Sequence, residues 1–405
     1  MRWMSLALCL AAVAPTSRLE AQTGADPSSH LVAVTVEAGH EDAVRFQQSG
    51  DPGDRFTRTT AGARQQWFTR RGVLALTGHV DATRYATLTD LDHITYDLAI
   101  RADRKLTSRL TGDLDFAARR AIASELRAAV GSAVIDVGSD GAAIPDAVAR
   151  TAPDGALLPR TVARLAAVRS SLAYRLSEKT TMSLDASYSQ ASFDTPLLRP
   201  GSAFISHGTV SRRTGPGSAL ALETEVQHGT TQGMELNAQS LTARWEKQIG
   251  RSRARVTGGF ARSPRAEGQN FDGTGGLDLS AMVARGTGSL GYSRALTQAF
   301  GLGTFLRTDR IRVTYQHTTP TGLALTTSAQ QGWNSDPATP GGRLIITSDA
   351  TAELIRIFPS GLLIGNAVSF RRREQNPLQP LQGVGVRIFM GVAVASGATR
   401  TARLP

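Results

Sequence analysis

The stretch that decides the fold is Val384 to Val394, VGVRIFMGVAV. Val384, Val386, Ile388, Met390, Val392 and Val394 fall on one face of an extended chain. Gly385, Arg387, Phe389, Gly391 and Ala393 fall on the other. Successive side chains of a strand point to opposite faces, so this ribbon has one wholly apolar face and one that carries a charge. Its 11 residues of unbroken alternation exceed the about 5–6 of an ordinary globular strand. They match the about 9–11 that a tilted strand needs to cross a bilayer.

The same pattern recurs along the chain. Leu74, Leu76, Gly78, Val80 and Ala82 oppose Ala75, Thr77, His79 and Asp81. Ile94, Tyr96, Leu98 and Ile100 oppose Asp97 and Arg101; Leu110, Gly112, Leu114 and Phe116 oppose Arg109, Asp113 and Asp115. Met182 to Tyr188, Leu220 to Val226, Ala254 to Phe260 and Ile311 to Tyr315 repeat it, each with an uncharged apolar face. Two segments break the rule. Glu235 to Lys247 switches face midway, and Ser348 to Phe358 sets Glu353 beside Ile355 and Ile357; a bulge or a shorter spanning core is the expectation there.

Short polar turns separate these strands at Thr69–Gly72, Ala102–Lys105, Ser177–Thr180, Thr214–Gly217, Gln248–Arg251, Arg294–Gln298, Thr319–Gly322 and Pro359–Gly361. Gly, Pro and polar residues are the ones tight turns select. Longer connections lie between them, near residues 45–55, 86–91, 119–160, 194–202, 230–233, 264–275, 333–342 and 372–381, with a tight one at Thr308-Asp309. Eight short turns with a strand before the first and after the last give about 18 strands, with 16 as the alternative. An even count puts both ends of the chain on one side.

Ahead of the strands, Arg2 and the apolar run Ser5 to Pro15 precede Leu19-Glu20-Ala21. That is the three-part layout of an export signal over residues 1–21, with cleavage before Gln22 and too short a run to span a bilayer. Residues 22–30 read as a linker, 31–394 as the strand domain, and 395–405 as a polar tail. Cys9 is the sole cysteine and lies within the signal, so the exported part has neither disulfides nor a Cys-based zinc site. The 405 residues carry 45 Lys+Arg against 34 Asp+Glu, a formal +11, and 41% are hydrophobic. This balance excludes a wholly disordered chain, and the 40 glycines suit turns and close backbone approaches better than long helices. Only Lys105, Lys179 and Lys247 are lysines, an arginine bias that weakens basicity as a sign of nucleic-acid binding. No aromatic stacking platform accompanies it.

A cleavable signal, amphipathic strands of about ten residues and turns short on one side and long on the other resemble the Gram-negative outer-membrane β-barrels. The resemblance covers residues 30–394 and implies an antiparallel up-and-down barrel with both termini periplasmic. The implied partners are outer-membrane lipid, lipopolysaccharide and the barrel-assembly machinery. Trp67, Trp245 and Trp333 fall near strand ends, where interfacial anchors belong. The chain departs from the pattern in following Phe389 with a polar tail to Pro405 and in its low aromatic content of 6%.

If the apolar face meets lipid, the other lines an interior. The lining residues are then Arg101, Arg109, Arg169, Arg175, Arg253, Arg255, Arg310, Arg312 and Arg387, with Asp97, Asp113, Asp115, Asp185, Glu223 and Glu225. Barrels of this size hold an aqueous channel, and an arginine excess favours anions, so the expected function is a passive porin-like channel for small hydrophilic or anionic solutes. Pairing of these charges across strands is the competing expectation. The alternative functions are a plugged display or assembly barrel and a soluble exported β-protein. Arg371, Arg372 and Arg373, with Arg199, Arg262, Arg265 and Arg343, make a candidate external rim for lipopolysaccharide phosphates. Solvated loop charge is the plainer reading. Ala117 to Val130 has helical composition and Ala133 to Pro159 is loop-like, a segment either folded into the lumen or standing outside.

Catalysis finds little support. His79 with Asp81, His93 with Asp97, and Glu223 with Glu225 each share a face, but no serine elbow accompanies them. No histidine cluster has metal-ligand spacing, and Gly273-Thr274-Gly275-Gly276 lacks the context of a phosphate loop. No cofactor is expected.

Overall fold

A computed structural model describes residues 28–42, 52–122, 161–196, 198–231, 234–265, 268–283, 286–299, 304–335, 345–375 and 380–397. The first half of the chain contributes β1 (Ser28–Glu41), β2 (Asp54–Thr69), β3 (Gly72–Tyr85), β4 (His93–Lys105), β5 (Leu110–Ile122), β6 (Val162–Arg175), β7 (Thr180–Phe193), β8 (Gly201–Gly215) and β9 (Ser218–Thr231). The second half contributes β10 (Met234–Ile249), β11 (Ser252–Arg265), β12 (Gly268–Val283), β13 (Gly286–Ala299), β14 (Thr304–Thr318), β15 (Leu323–Ser335), β16 (Ile345–Ile357), β17 (Leu362–Gln375) and β18 (Leu381–Gly397). Each strand pairs antiparallel with its sequence neighbours. β18 pairs with β1 from Ser29 opposite Gly397 to Glu41 opposite Gly385, which closes the sheet. The chain is a closed 18-stranded up-and-down barrel.

Alternation sorts the two faces. Leu98, Leu114, Leu184, Leu222, Val386 and Ile388 are exposed, while their strand neighbours Asp97, Asp115 and Phe389 are buried. Curvature explains the difference, because side chains splay apart on the convex side and crowd together on the concave one. The apolar stripes therefore form the outside. Following hydrogen-bonded partners once around the barrel returns to β1 displaced by about 22 residues, a shear that gives a strand tilt of about 40° and a backbone radius of roughly 17–18 Å. That interior is wide enough to hold more than one layer of inward side chains.

Both ends of the barrel, Ser28 and Gly397, lie at the rim of the short turns. Gly217, Gly250, Gly322 and Gly361 occupy those turns with φ of +58° to +82°, a region closed to most other residues. Trp67 and Trp245 face outward near this rim, and Trp333 near the opposite one. At the loop rim, Asp54 pins the connection after β3. Its carboxylate accepts the N–H groups of Thr87 at 2.9 Å and Leu88 at 2.7 Å.

Several expectations need correction. The segment 264–275 is largely strand, because β12 begins at Gly268, and Gly273 to Gly276 lie within it. Arg294–Gln298 and Thr308-Asp309 are not connections but parts of β13 and β14, whose neighbouring links fall at 284–285 and 300–303. These misplacements cancel in the strand count. The turn placed at Ala102–Lys105 falls instead at 106–109, and Ala117–Ile122, read as helical, completes β5. The barrel spans Ser28–Gly397 rather than 31–394, and the signal, most of loop 119–160 and residues 398–405 fall outside the described residues.

Neither anomalous segment holds a bulge. β10 keeps one register throughout, with Ala238 inward. In β16, Glu353, Ile355 and Ile357 are all inward. The ladder irregularity recorded among the described strands lies at Arg213/Gly215. Ile355, Leu363 and Phe389 are buried on the inside, and Gly365 admits the Phe389 ring; a β-carbon there would lie 2.3 Å from its Cζ.

Leu98→Arg, midway along β4 on the outer face, is expected to lose about 2–4 kcal/mol of folding free energy in a bilayer. Ala99→Arg, one residue on and turned inward, should lose less. Urea titration of both variants folded into vesicles measures the difference.

Candidate functional site

The interior wall is the site, and alternation places its residues. Asp97 and Arg101 on β4, Asp113 and Asp115 on β5, Arg169 and Arg175 on β6, and Asp185 on β7 all take inward positions. So do Glu223 and Glu225 on β9, Arg253 and Arg255 on β11, Arg310 and Arg312 on β14, and Arg387 on β18. Arg109 does not join them. It belongs to the turn after β4, where its N–H donates to Thr107 Oγ1 and its carbonyl accepts the Arg175 N–H.

The charges are paired. Across five consecutive strands runs a chain of alternating sign. Arg169 meets Asp185 at 2.7 Å, and Asp185 lies 3.6 Å from His207. The His207 ring is 3.9 Å from Glu223, which meets Arg244 at 2.7 Å. Glu246 extends the series to Arg253 at 2.7 Å and Arg255 at 3.7 Å. On the other flank, Arg119 meets Asp97 at 2.8 Å with both side chains buried, and Arg101 lies 3.8 Å from Asp115. Across the closure, Arg387 sits between Glu37 on β1 and Glu353 on β16, at 3.7 and 3.4 Å. The competing expectation of cross-strand pairing describes most of this wall.

β14 differs. Arg310 stands opposite Ser293 and Gly332, and Arg312 opposite Gly291 and Gln330, so neither faces a carboxylate across its ladders. Both turn inward, two residues apart on the same strand.

The sequence reading missed Glu37, Arg119, His207, Arg244, Glu246 and Glu353 as members of the wall. Arg119 was hidden by the helical composition around it, and Arg244, Glu246 and Glu353 by the two segments that break alternation. His207 and Glu37 obey the parity of their strands and were legible by that rule alone.

The groups considered for catalysis are wall residues. Asp81 accepts from Thr60 at 2.5 Å and from Thr95 at 3.3 Å, with His79 3.6 Å away. The His93 ring contacts the Leu91 carbonyl at 2.7 Å, and Glu225 accepts from Gln227 at 2.5 Å. Among the described residues no group of histidines and carboxylates could hold a metal ion.

The arginine triplet is not one external surface. β17 continues to Gln375, so alternation sends Arg371 and Arg373 inward and Arg372 outward. Arg371 lies 3.7 Å from Asp349, and Arg372 pairs with Glu374. Other outward arginines stand near the same rim. Arg120 donates to the Ile94 carbonyl at 3.0 Å and Arg164 meets Asp194 at 2.9 Å. Arg343 lies outside the described residues.

Asp185 is the acceptor shared by Arg169 and His207 in the five-strand chain. Asp185→Asn is expected to destabilise the barrel by about 1.5–3 kcal/mol, the range for a hydrogen bond to a charged group. A double-mutant cycle with Arg169→Gln should return a coupling of about 0.5–3 kcal/mol in vesicle unfolding.

No protein-family model matches the chain, and no curated protein is similar to it in sequence. Solved structures of similar outline do exist. OpdK of Pseudomonas aeruginosa, solved with vanillate, has a TM-score of 0.48 at 10% identity, over 91% of this chain and 99% of that one. OccK2 (OpdF) of the same organism, in complex with glucuronate, has 0.48 at 12%, over 91% and 98%. OccAB4 of Acinetobacter baumannii has 0.47 at 10%, over 92% and 98%.

Proposed function

We propose that this chain is a passive channel of a bacterial outer membrane, passing small hydrophilic solutes with a weak preference for anions. The observation that carries the reading is the closed 18-strand barrel with an apolar outside and a charged inside. A lipid-facing stripe on every strand has a purpose only in a bilayer, and a charged inner face has one only where water reaches it. In this reading the short turns and both termini are periplasmic and the longer connections face outward. The outward arginines near the loop rim then meet lipopolysaccharide phosphates, for which a guanidinium fork is suited.

Selectivity follows from the wall. Paired charges of both signs give a transverse field with little net charge, which orients dipolar solutes without excluding either ion. Arg310 and Arg312 both turn inward on β14, and this reading assigns the preference for anions to the arginines of the lining.

Purified protein in a planar bilayer under a salt gradient is expected to show step conductance and a reversal potential on the anion side. Replacing Arg310 and Arg312 together with glutamine should move that potential toward the cation side. A cation preference in the unmodified protein would overturn the anion reading, and absence of conductance would overturn the channel.

A further inference from the structure

The short-turn rim is unevenly charged. Segments 69–72, 104–109, 175–180, 212–217 and 247–251 cover the turns from β2 to β3, β4 to β5, β6 to β7, β8 to β9 and β10 to β11, with the adjoining strand ends. They hold eleven Lys and Arg residues against one carboxylate, Glu178. All three lysines of the chain, Lys105, Lys179 and Lys247, are among them. On the other side of the rim, 319–322 and 358–361 hold no charge, and the neighbouring Arg356 lies over the Phe358 ring at 4.9 Å.

Among the described residues, no carboxylate lies within ion-pair distance of any of the eleven. Ten are exposed, and Lys247 is half-buried with its Nζ 3.5 Å from the Pro216 carbonyl. The inner wall, by contrast, sets arginine against carboxylate from Arg169 to Arg244. Arg104, Arg212 and Lys247 stand opposite Gly112, Leu220 and Ala254, so they belong to the outer face and not to the mouth of the lumen.

Apolar side chains stand between these cations. Leu106, Leu176 and Ile249 lie in or beside the turns and are 43%, 49% and 68% exposed. Leu106 is on the outer side: a β-carbon added at Gly112, an outward residue, would lie 3.1 Å from Leu172 and 3.5 Å from Leu106. Trp67, Tyr174 and Trp245 face outward on the same half of the barrel, where the strands give way to turns. Apolar groups and cations interleaved at one level suit a lipid boundary. The first enter the acyl region, while the long arginine and lysine stems carry their charge to the phosphates. An acidic protein surface would satisfy the cations and leave Leu106, Leu176 and Ile249 unmatched.

We propose that this half of the turn rim docks anionic phospholipids, their headgroup phosphates on the turn cations and their acyl chains on Leu106, Leu176 and Ile249. This rests on the outer-membrane reading above, in which the short turns are periplasmic and the lipids are those of the inner leaflet. The native tryptophans report on it, because Trp67 and Trp245 stand near this rim and Trp333 near the opposite one. In a Trp3→Phe, Trp333→Phe background only Trp67 and Trp245 remain. The protein is folded into vesicles of equal phosphatidylcholine and phosphatidylglycerol, with bromine on the acyl chains of one lipid or of the other.

At low salt, brominated phosphatidylglycerol is expected to quench Trp67 and Trp245 with a relative association about twofold or more above that of brominated phosphatidylcholine. The preference should fall away near roughly 0.5 M salt, where screening is short-ranged. Combining Arg70→Gln, Arg71→Gln, Arg104→Gln, Lys105→Gln, Arg212→Gln and Arg213→Gln should abolish it. The same changes should leave quenching of Trp333 as it was, read alone in a Trp3→Phe, Trp67→Phe, Trp245→Phe background. Equal quenching by the two lipids leaves the cations merely solvated and overturns the proposal, as does a preference that survives the glutamine changes or falls equally at Trp333. Failure to insert into the vesicles sinks the membrane reading itself, whereas insertion without lipid preference sinks only the docking surface.

Discussion

A bilayer offers no water to an unpaired amide, so every backbone group at hydrocarbon depth must find its partner within the chain. In the proposed membrane setting the pairing of β18 with β1 meets that demand, because without it the unpaired amides and carbonyls of two strand edges would face lipid. Closure also fixes the register of everything between. A slip of one residue in β18 would turn Val384 to Val394 inward and bring Arg387 to the lipid. Sidedness, tilt and the composition of the interior all follow from that single ladder.

Enclosing charge raises a second demand, since a carboxylate or guanidinium crowded on a concave wall loses much of its water. Arg169, Asp185, His207, Glu223 and Arg244 answer it by spacing opposite signs one strand apart at similar depth. Each member restrains its neighbours, so the wall is a set of fixed dipoles rather than a brush of mobile cations. This is why a formal charge of +11 overstates the field a solute meets. Net charge counts residues, whereas a solute responds to what remains after pairing.

Much of this architecture was legible before any coordinates. Period-two alternation in Val384 to Val394 and its counterparts predicted sidedness and a count of about 18, with 16 as the alternative, but strands of about ten residues where they run from 13, as in β4, to 17, as in β18. Parity alone placed the inward charges from Asp97 to Arg387. Boundaries failed where composition was allowed to outvote parity. Gly273 to Gly276 read as loop because glycine usually marks one, yet a barrel strand tolerates glycine wherever its hydrogen bonds are kept. Ala117–Ile122 read as helix because alanine and arginine favour it, and the ladder with β4 and β6 overrode that propensity. Ion-pair partners were out of reach, because pairing depends on the stagger between strands, which no single strand encodes.

The segments that violated alternation are the informative ones. In Glu235 to Lys247 the pattern changes face, and there Ala238 of β10 turns inward beside Ala261 of β11, both buried. The wall explains Ala238 as an inward apolar residue of an unbroken strand. That part of the inner face is apolar because Ala238 and Ala261 pack with Leu296 and Phe305 in one buried cluster. An inner surface that met only water would gain nothing from these residues. An inner surface that receives a second layer of chain needs them, and the sequence pattern changes where that layer lands.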